Sequence, residues 1–141
     1  MYISSPHEKI SSLMNNTSTL KTSRQDRYLK AVELLDSAHS YTRLGGVHAL
    51  VGLADEYLAD KSLSEEEKHT EGQRIIDILC AYIRSPFELA FRYDELSQDK
   101  PNPHGSYREN HQDFYMHRAE LLAEAKVRQR ALQEIHRRLR H

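Results

Sequence analysis

The chain has 141 residues and a mass of 16.5 kDa, which suits a single domain. Its 20 basic and 21 acidic side chains nearly cancel, which excludes a strongly basic nucleic-acid arm and an acidic disordered tail. The single cysteine, Cys80, excludes a disulfide framework and a cysteine zinc cluster and is compatible with a reducing compartment. The longest apolar run, residues 78–83, is too short to span a bilayer.

The first 23 residues are rich in Ser, Thr and Asn, and we expect a loosely ordered arm. Ser5 and Pro6 can begin a short helix that ends near Met14. At residue 24 the pattern changes to a helical period. Ser23 can cap this helix, which should end near Ser37. Its buried stripe has the spacing i, i+3, i+4, i+7 and consists of Tyr28, Ala31, Val32 and Leu35.

A second helix is predicted over residues 41–59, and it is apolar around most of its circumference, so it should lie between other helices. Gly45 and Gly46 each cost about 1 kcal/mol relative to Ala inside a helix. We interpret them as packing residues, with Gly45, Ala49 and Gly52 forming a smooth seam against another helix. A phosphate loop is the alternative, but its spacing and its lysine are missing.

Two polar side chains of this helix also have expected structural roles. The Arg43 guanidinium is predicted to reach Glu33 or Asp36 on the preceding helix and to fix the angle of the hairpin. His48, beside the glycine seam, is expected to be an interior residue that is hydrogen-bonded.

Residues 55–71 carry seven acidic side chains against two lysines, which indicates a solvated linker. A capping box, Ser64 with Glu67 or Thr70 with Gln73, begins the third helix, which ends before Pro86. Residues 87–94 add a further turn or more, and residues 99–112 form a loop. The last helix, residues 113–139, is one helix or two in line. Its predicted lining is Phe114, Leu121, Leu122, Ala125, Leu132, Ile135 and Leu139.

No period-two strand pattern occurs, so the sequence predicts an all-α fold with one helical domain over residues 24–141. Residues 42–50 and 127–135 align without gaps. Each has an arginine near a helix start and aliphatic residues three and four apart, as in the inner helix of a HEAT or armadillo repeat. The offset between them, 85 residues, is too long for one such repeat and suits two, so we expect antiparallel hairpins in a HEAT-like array.

Parts of residues 27–84 resemble a short helical segment of actinobacterial pentapeptide-repeat and membrane-anchored proteins. The residues that carry the resemblance are Arg27-Tyr28, Ala31-Val32-Glu33, Leu35, Ser37, Arg43-Leu44-Gly45-Gly46-Val47, Ala49-Leu50, Leu53-Ala54, Leu79 and Ala81-Tyr82-Ile83-Arg84. Arg137-Arg138 is similar to the arginine pair that ends a later helix of the family. Residues 86–112 look inserted, and no transmembrane helix or pentapeptide repeat is present here. The resemblance implies a fold and a context but no catalytic residue.

Searches for catalytic and metal-binding patterns favour a protein that is not an enzyme. His104, His111 and His117 form a metal site only if the loop folds back, so we expect solvated histidines and neither a metal nor another cofactor. Cys80, between Leu79 and Ala81, is expected to behave as a small hydrophobic residue. No nucleophile elbow is present, and the carboxylates of residues 65–67 have no apolar surroundings that would raise a pKa.

The remaining hypotheses concern binding. The last helix is basic, and Arg130, Arg137 and Arg138 can share a face that suits an acidic partner or phosphates. We expect a cytoplasmic helical scaffold or interaction module that binds a protein partner or its own copies, either free or as the soluble part of a membrane-associated system. A nucleic-acid-binding helical module is the alternative, and a metal-dependent enzyme is a third class.

Overall fold

The computed structural model describes residues 6–139, with side chains at residue 16 and from residue 18 onward. Four long helices dominate: α1 (Pro6–Leu35), α2 (Ser40–Ala59), α3 (Glu65–Arg84) and α5 (His111–Leu139). A 3₁₀ turn at Glu88–Arg92 and the one-turn helix α4 (Tyr93–Leu96) lie between α3 and α5. The described residues contain no strand, which confirms the all-α prediction.

Helix α1 differs from the prediction because it continues through residue 23, where we expected a new helix to begin. Ser23 is therefore an exposed residue inside the helix and not a cap. Ser and Thr lower helix propensity only modestly, so a polar run need not interrupt a helix that packing supports further along. Such support begins at Arg24, whose Nη1 donates to Asp60 at 2.6 Å. Ser5 and the rest of residues 1–5 lie outside the described residues.

Helix α2 is central, as predicted, because α1, α3 and α5 all pack against it. Its buried side includes Val47, Leu50 and Leu53, which are at most 2% exposed. The end of α1 lies beside the start of α2, so these two helices are antiparallel. Helix α5 runs in the same direction as α2, since Arg43 contacts Glu124 and Asp55 contacts Arg138. The long helices therefore form one group around α2, and the described residues show no repeat array.

Helix α3 begins at the predicted capping box. The Ser64 hydroxyl accepts from the Glu67 amide, and the Glu67 carboxylate accepts from the Ser64 amide. The helix ends at Arg84, before Pro86, as predicted. The acidic stretch is divided differently from the prediction, because only residues 60–64 connect α2 to α3 and the other acids lie on the helices.

A second, smaller core holds the connection to α5. Leu96, Tyr107 and Phe114 are buried together, and residues 97–110 form the loop that the proline and glycine content predicts. The Glu95 carboxylate accepts from the Ser106 amide at 2.6 Å, and the Tyr107 hydroxyl lies 2.8 Å from His117 Nδ1. These bonds tie the loop to α4 and α5. Among the helices of residues 6–139, none combines the length and apolarity needed to cross a bilayer.

Candidate functional site

The predicted glycine seam is only partly a helix contact. A Cβ built on Gly46 would lie 2.9 Å from the Ala31 carbonyl oxygen and 3.1 Å from the Leu34 Cβ, so α1 approaches α2 closely there. Gly45 and Gly52 have no such neighbour within 4 Å, and Ala49 is exposed. The packing interpretation holds for Gly46 and fails for the other three, because they lie on the side of α2 that no described helix covers.

Arg43 has a structural role, but with a different partner from the one predicted. Its Nε donates to Glu124 Oε2 on α5 at 2.7 Å, and its Nη1 donates to the Ser37 carbonyl at 2.8 Å. Neither Glu33 nor Asp36 pairs with it. Arg43 therefore joins the turn between α1 and α2 to the distant helix α5. His48, predicted to be interior, is exposed.

Glu124 is the centre of this network and is only 1% exposed. Its Oε1 accepts from the Tyr82 hydroxyl at 2.5 Å and from Arg128 Nε at 2.9 Å. Arg128 Nη1 also donates to the Ile83 and Ser85 carbonyls. These hydrogen bonds give partners to carbonyl groups at the C-terminal end of α3, which the helix itself cannot satisfy. Hydrogen bonds from two guanidinium groups and a hydroxyl thus offset the free-energy cost of burying the Glu124 carboxylate.

This network forms one wall of a cavity of about 350 Å³, but its groups are occupied by one another. Burial, and then the hydrogen bond to Glu124, raises the pKa of Tyr82 to about 12, so the hydroxyl stays protonated at neutral pH. Both Glu124 oxygens already accept hydrogen bonds. The arrangement connects α2, α3 and α5, and it offers neither a free general base nor a free nucleophile.

Sequence reasoning missed Glu124 as an interior residue, although a signal was present. Leu121, Glu124, Val127 and Ala131 recur at helical spacing along one side of α5, and Arg128 follows Glu124 by four residues. An acid in a row of apolar positions with an arginine four residues on is consistent with a buried ion pair. Its other partner, Arg43, is 81 residues away, and no local pattern identifies it.

The three arginines predicted to bind a partner meet at one acid of their own helix. Arg138 Nη1 donates to Glu134 at 2.7 Å, and its Nε and Nη2 donate to the two Asp55 oxygens of α2. Arg137 and Arg130 lie 3.4 and 3.8 Å from Glu134, with about half or more of each side chain exposed. Hydrogen bonding by Arg138 is the main cause that lowers the pKa of Glu134. Arg138 therefore connects α5 to α2 by an ion pair, whereas the side chains of Arg130 and Arg137 are exposed to solvent.

The outward side of α5 carries an exposed apolar row. Tyr115, Leu122, Leu132 and Leu139 are each at least half exposed, and exposed Ala125 lies between them. Leu122, Ala125, Leu132 and Leu139 were predicted to line the core, which is wrong. The residues that face α2 and α3 are instead Glu124, Val127, Ala131, Glu134 and Ile135. Lys126 borders this row four positions after Leu122, whereas Arg130 and Arg137 lie on another side of the helix, next to Glu134.

The histidines do not form a cluster. His104 and His111 are exposed, and His117 is hydrogen-bonded to Tyr107. In the part of the chain that the structure describes, no three His, Cys, Asp or Glu side chains come together as metal ligands. Cys80 is partly buried and packs against the main core, as expected for a small hydrophobic residue.

Comparison with known proteins gives no match: no family model, no curated protein and no solved structure is similar to this chain at a significant level. The structure is a small all-helical domain with four long helices in the described residues. It has ion-pair networks around the buried side chains of Arg24, Glu124 and Glu134, and an exposed apolar row on α5.

Proposed function

We propose that this protein is a non-enzymatic helical interaction module, and that the outward side of α5 binds an amphipathic helix of a partner protein. The observation that carries the proposal is the apolar row Tyr115, Leu122, Ala125, Leu132 and Leu139. From residue 115 to residue 139 the row is about 36 Å long at 1.5 Å per residue, which matches a partner helix of seven turns. Exposed apolar surface of this extent is typical of interaction sites.

The charge beside the row favours an acidic partner. Lys126 borders the row four positions after Leu122, and a partner helix with Glu or Asp beside its apolar stripe would pair with it. A second copy of this chain fits the apolar spacing, because Leu122 and Leu132, like Tyr115 and Leu139, are symmetric about residue 127. In such an antiparallel pair, Lys126 of each helix would lie close to Lys126 of the other, and like charges oppose that arrangement.

The nucleic-acid alternative has less support. One of the three arginines that it requires, Arg138, is engaged by Asp55 and Glu134, and the other two lie close to Glu134. The local excess of positive charge is therefore smaller than the sequence suggests, and the chain as a whole is nearly neutral.

We also propose that the helices are arranged as antiparallel hairpins in a HEAT-like array. Short connections between α1, α2 and α3 give consecutive hairpins, the plan on which HEAT and armadillo arrays are built. The resemblance to a segment of pentapeptide-repeat and membrane-anchored proteins would place such a module in the cytoplasm, in a larger assembly. Both the hairpin arrangement and the resemblance fit a protein that binds other proteins.

A designed peptide tests the proposal. We expect a 24-residue amphipathic helix with Leu at its core positions and Glu at its flanks to bind, and its Lys-flanked counterpart to bind about tenfold more weakly. Leu122→Glu with Leu132→Glu should abolish binding, whereas the matched control Leu29→Glu, on the exposed part of α1, should not. Binding that survives the double substitution would refute the site.

Light scattering distinguishes a partner protein from a second copy of this chain as the occupant of the apolar row on α5. We expect a monomer at high concentration and no change in mass on Leu122→Glu with Leu132→Glu. A dimer that this double variant dissociates would instead assign the row to a second copy. Binding to DNA that weakens steeply with salt and is lost on Arg130→Glu with Arg137→Glu would favour the nucleic-acid alternative.

A further inference from the structure

A cavity of about 340 Å³ lies where the second half of α2, residues 65–79 of α3 and the end of α5 meet. It adjoins the apolar row of α5, because Leu139 belongs to that row and also lines the cavity. We infer that this cavity receives one aromatic side chain of the partner helix, which anchors the helix on the row. The inference rests on the proposed function, since it concerns the same binding surface, and it specifies a side chain that the partner must carry.

The lining of the cavity is mostly apolar and reaches the main core. It includes core side chains of three helices that are at most 9% exposed: Val51, Ile75, Leu79 and Ile135. Leu58 and Leu139 line it as well, and each is more than half exposed. An apolar surface that continues from solvent into the core favours an apolar group as its occupant.

Gly72 makes room on the α3 side of the cavity. Glycine inside a helix lowers helix propensity relative to alanine, and a Cβ built on Gly72 would meet no atom within 4 Å. The residue lines the cavity, so a larger side chain at this position would have space there without displacing a backbone. Position 72 is therefore the point from which the cavity can be filled by substitution.

The size of the cavity favours a single large side chain. A volume of about 340 Å³ is at the lower end of the range for small-ligand sites. A whole helix, about 10–12 Å across with its side chains, does not fit into such a space. An aromatic side chain brings a large apolar area with few rotatable bonds, and aromatic residues in pockets often dominate the affinity of an interface. A helix that lies along the row reaches Leu139 with one of its two ends.

The rim of the cavity has a basic group that suits the acidic partner proposed above. The Lys68 side chain is 15% exposed, and its ion pair in the described residues is with Glu65, at 3.6 Å, which is long for a hydrogen bond. Arg138, the other basic residue of the lining, is already paired with Asp55 and Glu134. Lys68 can therefore also pair with a Glu or Asp that flanks the aromatic anchor.

Tryptophan fluorescence tests the inference directly, because this chain contains no tryptophan and a peptide would supply the whole signal. The probe is the Glu-flanked peptide described above, with Trp in place of Leu at its first or at its last core position, one peptide for each direction along the row. We expect one of the two to bind the full chain about tenfold more tightly than the same peptide with Ala at that position. Its emission should shift to shorter wavelength on binding.

Filling the cavity should remove this gain. Gly72→Leu should weaken binding of the Trp peptide about tenfold and leave the affinity of the Ala peptide nearly unchanged, with the helix content intact by circular dichroism. The matched control is Gly52→Leu, since a Cβ on Gly52 also meets no neighbour but the residue does not line the cavity. This control should leave both affinities unchanged.

The outcomes distinguish the cavity from the row. If Leu122→Glu with Leu132→Glu abolishes binding but the Trp and Ala peptides bind the unsubstituted chain equally, the row binds a partner and the cavity inference is wrong. An unchanged affinity of the Trp peptide for Gly72→Leu would also overturn the inference. If the Trp peptide still binds the Leu122→Glu, Leu132→Glu variant and loses affinity only with Gly72→Leu, the cavity is a binding site and the proposal for the row fails.

Discussion

Substitution of the two neighbouring glycines of α2 separates close packing from helix propensity. At Gly46, an alanine Cβ would lie 2.9 Å from the Ala31 carbonyl oxygen and 3.1 Å from the Leu35 nitrogen, and both are backbone atoms of α1. Backbone atoms inside a helix cannot rotate away, so α1 must shift as a whole. At Gly45 the same methyl group would meet nothing within 4 Å.

The magnitudes follow from two opposing contributions. Alanine gains about 1 kcal/mol of helix propensity at either position, since neither glycine has a positive φ. Overpacking at Gly46 costs about 1–3 kcal/mol. Gly45→Ala should therefore raise the free energy of unfolding by about 1 kcal/mol, and Gly46→Ala should lower it by about 0–2 kcal/mol. The two melting temperatures should differ by about 3–10 °C.

Thermal and urea unfolding followed by circular dichroism measures this difference. Gly52→Ala is a second control, because its Cβ also meets no neighbour, and it should behave like Gly45→Ala. If Gly46→Ala stabilises the protein as much as Gly45→Ala does, α1 does not press against α2 at this point, and the hairpin contact described above is wrong.

Four further predictions concern the ion pairs, the Tyr82 hydroxyl and the cap. Glu124→Gln should destabilise the protein by about 3–5 kcal/mol, because Arg43 and Arg128 lose the buried charge that they share. Since the pKa of Tyr82 is raised to about 12, stability should fall as the pH rises from about 10 to 12, measured by urea unfolding. Hydrogen bonds from Ser62 and then Arg24 lower the pKa of Asp60 to about 2, so stability should be lost as the pH falls from about 4 to 2, and Asp60→Asn should remove that part of the acid dependence. Ser64→Ala should cost about 1 kcal/mol in thermal unfolding through loss of the capping box.

Each of these has a control in the same chain. Glu120→Gln, on the exposed part of α5, should leave stability unchanged where Glu124→Gln does not. Tyr82→Phe should reduce the alkaline loss, and an unchanged loss would assign it to other groups, such as Tyr57, whose pKa burial also raises. An unchanged acid profile in Asp60→Asn would show that other carboxylates, such as Glu134, dominate. An unaffected Ser64→Ala variant would contradict the capping assignment.

Local sequence signals predicted the middle of the fold well. Helices α2 and α3 have the expected bounds because their apolar period, the capping box at Ser64 and the stop before Pro86 all act within a few residues. Helix α1 was predicted in two pieces, since a polar run resembles a linker when its packing partners are not known. Two ion pairs hold the start of the packed part of α1. The partner of Arg24 is Asp60, 36 positions later, and the partner of Arg27 is Glu56, 29 positions later.

The outward side of α5 was assigned to the core for a related reason. Apolar spacing predicts that these leucines are buried, but α5 has more leucines than its neighbours cover. Glu124 and Glu134 occupy the inner side because arginines from α2 or from α5 itself neutralise them there. Apolar periodicity alone cannot distinguish a stripe that packs within the chain from one that is left for a partner.

The long-range ion pairs also have a consequence for the order of folding. Helices α1, α2 and α3 meet through connections of a few residues, whereas Arg43–Glu124 and Asp55–Arg138 join residues more than 80 positions apart. Contacts with small sequence separation form first, and closing long loops is slow. Helix α5 should therefore dock last, so weakening its arginine contacts should accelerate unfolding while the refolding rate stays nearly constant.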